Sequence, residues 1–323
     1  MDEYIRVENL KKYFATKRGM LHAVDDVSFS IRKGETLGLV GESGCGKSTL
    51  GRCLIRLLDS TAGKVLLRNQ NDDGYTDVTK ASPREMKELR KRVQIVFQDP
   101  YSCLNPRLSV WELIAEPLIV NKIYTDKNEM RKRIRSLMDT VGLAERLENS
   151  YPHELDGGRR QRIGIARSLA LNPEFIVLDE PVSALDVCIQ AQILNLLNDL
   201  QKEFAYTYVF ISHNLSVVRH VSDRIAVMYL GQIVELSEYR ELFSKPLHPY
   251  TQALLSAIPL AKLDVRRERI ILEGDVPSPI EPPNACRFAG RCRYAKDICR
   301  NTPPALKEIL PGHFAACHYA KEI

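Results

Sequence analysis

The octapeptide Gly41-Glu42-Ser43-Gly44-Cys45-Gly46-Lys47-Ser48 constrains this chain more than any other feature, because it follows an apolar run at Thr36 to Val40 and opens a segment of helical character from Lys47 to about Leu58. It fits the pattern G-x-x-x-x-G-K-[ST]. Its glycines let successive backbone N–H groups turn inward, and the helix behind them adds the partial positive charge of its N-terminus, so the loop suits phosphate. Lys47 is placed to reach the β- and γ-phosphates of a nucleotide, and Ser48 to ligate Mg2+. Cys45 and Cys53 read as packing thiols.

The remaining pattern predicts a sheet for that loop. Short strands are expected around Ile5 to Val7, Ala23 to Ile31, Thr36 to Val40 and Val65 to Leu67. From Pro83 to about Glu148 the chain is helical in character and highly charged, with a strand at Val93 to Phe97 and a helical period over Lys127 to Val141. From Arg159 to Val234 helices alternate with apolar strands at Phe175 to Leu178, Tyr206 to Ile211 and Arg224 to Met228, which predicts a parallel sheet buried on both faces. The helix after Asp186 carries Ile189, Ile193, Leu196, Leu197, Leu200 and Phe204, expected to pack in the core. After Lys245 the chain turns proline-rich, beginning with Pro246, Pro249 and Pro259, and a separate tail is expected.

Composition excludes some functions. Lys plus Arg exceed Asp plus Glu by 46 − 41 = 5, with no run of five like charges, too little to argue for nucleic acid. No apolar run spans a bilayer, and the N-terminus lacks the apolar core of a signal peptide, so the protein is expected to stay in the cytosol and meet a membrane only through a partner. In that reducing setting a disulfide framework among the eight cysteines is not expected.

Phe175-Ile176-Val177-Leu178-Asp179-Glu180 ends an apolar strand in two acids, where phosphoryl-transfer sites put a metal-linked Asp and, next to it, a base. Asp179 is read as holding Mg2+ through water and Glu180 as polarising the attacking water, while a turn with two solvated acids stays open on this pattern alone. Further segments follow: Gln98 after a strand, Leu155-Asp156-Gly157-Gly158-Arg159, Ser183-Ala184-Leu185-Asp186, and Ser212-His213 at a strand end. In this order and spacing the chain closely resembles the ATP-binding cassette family across about residues 4 to 245.

The resemblance implies an α/β phosphate-loop NTPase cassette over residues 1–245. It would have a RecA-like mixed sheet core, an antiparallel strand layer at the N-terminus and a helical subdomain near 83–158. It also implies roles. Phe14, with Tyr13 beside it, resembles the aromatic that stacks on adenine. Gly41, Glu42, Ser43, Gly44, Cys45, Gly46, Lys47, Ser48, Thr49 and Asp179 bind ATP, with Ser48, Gln98 and Asp179 serving Mg2+. Gln98 couples the site to the membrane subunit, and His213 contacts the γ-phosphate. Leu155 to Arg159 form the signature that caps ATP held by an opposing cassette, and Ser183 to Asp186 form the D-loop.

The signature departs from the family's Leu-Ser-Gly-Gly-Gln, with Asp156 for Ser and Arg159 for Gln. An ionised Asp156 facing phosphate costs about 4 kcal/mol for unit charges roughly 4 Å apart at an effective dielectric near 20. Arg159, three residues on, is placed to offset it. A weakened site is therefore expected on the partner's loop, and with it a heterodimer of unequal cassettes.

His248-Pro249-Tyr250-Thr251-Gln252-Ala253-Leu254-Leu255 and Cys286-Arg287-Phe288-Ala289-Gly290-Arg291-Cys292 resemble the C-terminal extension, here 246–323, of oligopeptide-importer ATPases, whose branch includes dipeptide and nickel relatives. Cys286, Cys292, Cys299 and Cys317 can supply four thiolates for an iron–sulfur cluster or tetrahedral zinc, or stay free or disulfide-linked. The resemblance favours a [4Fe–4S] cluster. It further implies ATP hydrolysis coupled to import, two transmembrane permease subunits, an extracytoplasmic solute-binding protein and no nucleic acid. The rivals are a non-transport cassette ATPase and a catalytically weak nucleotide-binding regulator.

Overall fold

The first strands run further than their apolar residues do. β1 (Glu3–Thr16) and β2 (Gly19–Arg32) pair antiparallel from Glu3 opposite Arg32 to Thr16 opposite Gly19, through polar residues that the side-chain pattern leaves out, since a ladder needs only backbone N–H and C=O groups. The computed structural model describes residues 3–70, 72–258 and 269–322. Pro259 lies outside them. Two compact units divide the chain, one of Met1–Lys80 with Phe210–Ile323 and one of Ala81–Val209.

The first unit continues with β3 (Thr36–Val40), α1 (Lys47–Leu54), β4 (Ala62–Arg68) and β5 (Tyr75–Asp77). Its antiparallel layer has the order β2-β1-β4-β5. Helix α1 ends at Leu54 rather than near Leu58, because Arg56 takes a left-handed φ of 52° and the N–H groups of Leu57 and Leu58 turn back to the Arg52 carbonyl at 2.8 and 3.3 Å.

The second unit holds α2 (Pro83–Arg92), β6 (Val93–Val96), α3 (Pro100–Cys103), α4 (Val110–Val120), α5 (Lys127–Thr140), α6 (Gly157–Leu169), β7 (Phe175–Asp179) and α7 (Val187–Phe204), and most of β8 (Thr207–Ile211). Capping boxes of Ser82 with Glu85 and Ser109 with Glu112 start α2 and α4. β6 and β7 run parallel, Val93 opposite Phe175. Buried Glu148 is held by Arg131 and Arg135 of α5, and the Arg131 hydrogen bond first of all keeps its carboxyl below the usual range. In α7 the buried stripe is Ile193, Leu197 and Leu200; Phe204, expected in the core, is 47% exposed and stacks on Tyr206.

The chain returns to the first unit with α8 (Leu215–Val221), β9 (Arg224–Tyr229), β10 (Gln232–Glu238), α9 (Tyr239–Ser244), α10 (Pro249–Ser256), α11 (Asp297–Asn301), β11 (Lys307–Leu310) and β12 (His313–Ala315). β3 pairs parallel with β9, while β9–β10, β10–β12 and β12–β11 are antiparallel, so the sheet is mixed. The tail is thus no separate appendage: its last two strands extend that sheet. Its anchor is Glu235 on β10, fully buried, which accepts hydrogen bonds from Leu247 N (2.7 Å) and His248 N (3.0 Å) and pairs with His313 Nε2 (2.7 Å). Burial lowers the pKa of His248 to about 4, and its Nδ1 accepts from Tyr250 N, as a neutral ring does. No helix among the described residues is long and apolar enough to cross a membrane.

Candidate ATP-binding and hydrolysis site

The loop Gly41–Ser48 owes its path to two crowded glycines. Gly41 and Gly46 have φ of 154° and 107°, and a Cβ would come within 2.1 Å of Met228 O at the first and 2.0 Å of Ala23 O at the second. No other residue fits there. Gly46 opens α1, whose first turn presents Lys47, Ser48 and Thr49. Lys47 is 4% exposed and its Nζ spans the loop to Gly41 O (2.8 Å) and Glu42 O (3.0 Å). Cys45 and Cys53 are buried, which pushes both thiols up, Cys53 to about 11, so both are protonated packing groups at neutral pH.

The first unit also holds His213, Tyr13 and Phe14. The N–H of Ser212 bonds to Leu39 O at 3.1 Å, which sets the exposed His213 beyond the end of β8 that lies beside β3, the strand feeding the loop. On β1, Tyr13 stacks on His22 at 4.0 Å and 19°, and its hydroxyl donates to Asp25. Burial and then that bond raise the Tyr13 pKa well above the usual phenol. Phe14, by contrast, is 36% exposed.

In the second unit Asp179 ends β7 at 1% exposure, and Glu180 follows with φ of 48°. A left-handed glutamate is strained, and such strain gathers at functional positions. Gln98 Nε2 donates to Glu180 Oε2 at 3.2 Å, which brings together two residues 82 apart in the chain. The Ser183 N–H and hydroxyl both donate to Glu180 O, and the loop Ser183-Ala184-Leu185-Asp186 ends with Asp186 capping α7 through Ile189 N. In the signature, Leu155 is buried, Asp156 caps α6 by accepting from Arg159 N at 2.8 Å, and Gly157 and Gly158 form the first turn. Arg159 Nε stands 3.4 Å from Asp156 Oδ2. Asp replaces Ser as a cap at no cost, and the new charge has a partner on its own helix.

Among the described residues no three His, Cys, Asp or Glu side chains stand close enough to hold one metal ion. The four tail cysteines nonetheless act on one another: Cys292, Cys299 and Cys317 all raise the Cys286 thiol, although burial, the largest cause, takes it to about 11. The backbone of Phe288, Tyr294 and Tyr319, each two residues on, acts the other way and lowers the thiols of Cys286, Cys292 and Cys317, against the larger effect of burial.

The structure adds residues that motif reading misses. Arg287 binds Asp25 and Leu230 O, Arg291 Nη1 binds Glu42 Oε1 and Oε2 at 3.1 and 3.0 Å, and the Tyr250 hydroxyl accepts from Glu42 N at 2.9 Å. Arg287 stands 262 residues from Asp25, and Arg291 and Tyr250 stand 249 and 208 residues from Glu42, so no local signal marks these pairs.

Residues 24–183 match the family model described as ABC transporter, and residues 234–299 match the one described as oligopeptide/dipeptide transporter, C-terminal region. The chain is 51% identical over 324 residues to the oligopeptide transport ATP-binding protein AppF of Bacillus subtilis, covering 97% of this chain and 96% of that one. It is 50% identical to a putative peptide import ATP-binding protein of Brucella abortus, with coverage of 97% and 96%. A dimeric cassette, MJ0796, solved in a post-hydrolysis state bound to ADP and Pi, superposes with a TM-score of 0.65 at 30% identity over 73% of this chain and 99% of that one. CbiO1 of Clostridium perfringens gives 0.65 at 28% identity over 76% and 92%. With half-identical relatives along nearly its whole length, the chain belongs to the ATP-binding cassette transporter family, as an ATPase of the branch that carries the oligopeptide/dipeptide C-terminal region.

Proposed function

We propose that this chain hydrolyses MgATP to power uptake of oligopeptides or dipeptides through a membrane importer. The observation that carries the reading is the oligopeptide/dipeptide-type region at residues 234–299 joined to the cassette, in a chain whose relatives are named for oligopeptide transport. In this reading residues 1–245 are the cassette, with its helical subdomain near 83–158, and 246–323 the extension. Lys47, Thr49 and the Gly41–Ser48 backbone hold the phosphates, and Phe14 takes the adenine, its neighbour Tyr13 being stacked on His22. Ser48, Asp179 and Gln98 serve Mg2+, which would neutralise charge developing on the phosphates. Glu180 polarises water and His213 meets the γ-phosphate.

Two permease subunits and an extracytoplasmic solute-binding protein complete the importer, with this chain on the cytoplasmic face of the membrane. Exposed apolar side chains of the second unit, Phe97, Tyr101, Ile119 and Val120, support a docking surface beside Gln98, and a cavity of ≈ 340 Å³ lies there, lined in part by Phe97, Glu116, Val120 and Arg167. Labelled oligopeptide uptake, in cells lacking the chain, should return with the parent and not with Lys47→Ala. Uptake restored by that variant would overturn the reading.

The partner cassette is a different chain in this proposal. The Asp156–Arg159 pair is about half exposed, and such pairs are worth about 0–1 kcal/mol, less than the repulsion of roughly 4 kcal/mol it must offset. Asp156→Ser with Arg159→Gln should raise ATP turnover of the assembled transporter several-fold. Unchanged turnover removes the argument for unequal sites.

For the four cysteines we propose a [4Fe–4S] cluster. One zinc ion needs all its sulfurs in a single shell, whereas a four-iron cluster takes one thiolate at each of its irons and spreads them apart. Four cysteines within 32 residues of the extension, whose thiols act electrostatically on one another, support this choice. The cluster would pin the turn between Cys286 and Cys292. Anaerobically purified protein should contain about four iron and four sulfide per chain; finding neither ends the assignment.

A further inference from the structure

Glu42 is an acid inside a loop suited to phosphate, an arrangement that opposes its own ligand unless the carboxylate is neutralised. All three of its polar groups are engaged. Its carbonyl accepts from Lys47 Nζ at 3.0 Å, its N–H donates to the Tyr250 hydroxyl at 2.9 Å, and its carboxylate takes Arg291 Nη1 at 3.0 and 3.1 Å. Two of these partners come from the C-terminal extension.

Both are rigidly presented. Tyr250 is fully buried and packs with Tyr229 and Phe288, ring centroids 4.7 and 5.5 Å away, and the Arg291 side chain is only 10% exposed. The turn that carries Arg291 is anchored at its other end by Arg287, which binds Asp25 and the Leu230 carbonyl. Asp25 in turn receives the Tyr13 hydroxyl, one residue from Phe14. Of the two anchor points of the turn, Glu42 lies in the loop that the ATP reading assigns to nucleotide, and Asp25 on β2 holds the hydroxyl of Tyr13, which that reading places beside the adenine.

We infer that Arg291 and Tyr250 are positioning residues of the ATP site: acting through Glu42, they hold the phosphate loop open and cancel the charge that would repel the nucleotide. This deepens the reading of Gly41–Ser48 as the phosphate loop and rests on it. The extension is then part of the nucleotide site as well as a mark of the transporter branch. Arg291 touches no phosphate in this account, so its removal acts on affinity before it acts on chemistry.

The test is MgATP kinetics of the full chain assembled with its partner subunits, alongside binding of a fluorescent ATP analogue and thermal melting. Arg291→Ala should raise KM and the analogue Kd about tenfold or more with kcat within about twofold, because an unneutralised carboxylate now faces the phosphates. Glu42→Ala combined with Arg291→Ala should bring both back toward the parent, a rescue that a merely structural pair does not give. Tyr250→Phe, which deletes one oxygen from a buried ring, should raise KM about threefold, and it carries the test should Arg291→Ala fail to fold. KM within twofold of the parent in both single variants, or a double variant worse than Arg291→Ala, overturns the inference. Lys47→Ala separates the levels: lost binding there with an unaffected Arg291→Ala sinks only this inference, whereas retained binding sinks the phosphate-loop reading beneath it.

Discussion

Glu180→Gln is expected to lower phosphate release by about 10²- to 10⁴-fold, the usual contribution of a positioned acid–base group, while MgATP still binds. The amide is nearly isosteric and keeps an oxygen to accept from Gln98 Nε2, now 3.2 Å from Glu180 Oε2, so the local geometry survives and only the basicity is lost. Glu180 already sits at a φ of 48°, a conformation the surrounding turn must impose through the two hydrogen bonds from Ser183 to its carbonyl. Steady-state phosphate release and equilibrium binding on the same preparation make the check. Turnover within about threefold of the parent would remove Glu180 from the chemistry.

The largest stability effect is expected at Glu235→Ala, about 3–5 kcal/mol, read as a shift in denaturant midpoint. The carboxylate is fully buried and satisfies Leu247 N, His248 N and His313 Nε2 together. Its loss strands donors where water cannot replace the acceptor, and each stranded donor costs about 1–3 kcal/mol. Glu235→Gln keeps one acceptor oxygen and should cost less. A shift under about 1 kcal/mol in Glu235→Ala would show that the tail is held to β10 by its strand pairing and aromatic packing alone.

Much of the site was legible because its requirements are local. Gly46 must lack a Cβ to pass Ala23 O, Lys47 must follow it at the start of a helix, and Asp179 and Glu180 must end an apolar strand; each condition leaves a mark within a few residues. The hydrogen bond of Gln98 to Glu180 was not legible in the sequence, since nothing in either segment names the other. Boundaries fared worse where backbone pairing or one left-handed residue decided them, as at Thr16 and Arg56. Asp156 and Arg159 were expected to offset each other, and the structure pairs them at 3.4 Å and adds that the same carboxylate caps α6.

Legible along the chain were a glycine-rich loop suited to phosphate, helices alternating with buried strands, and one copy of each segment that resembles a cassette motif. Visible only in the folded chain are the pairing of the tail's last strands with the mixed sheet and the hold of its Tyr250 and Arg291 on Glu42, 208 and 249 residues away. The physical reason is range: periodicity and motif spacing record constraints between neighbours along the chain, whereas a buried ion pair closes across the fold and leaves each partner looking like an ordinary charged residue in its own segment.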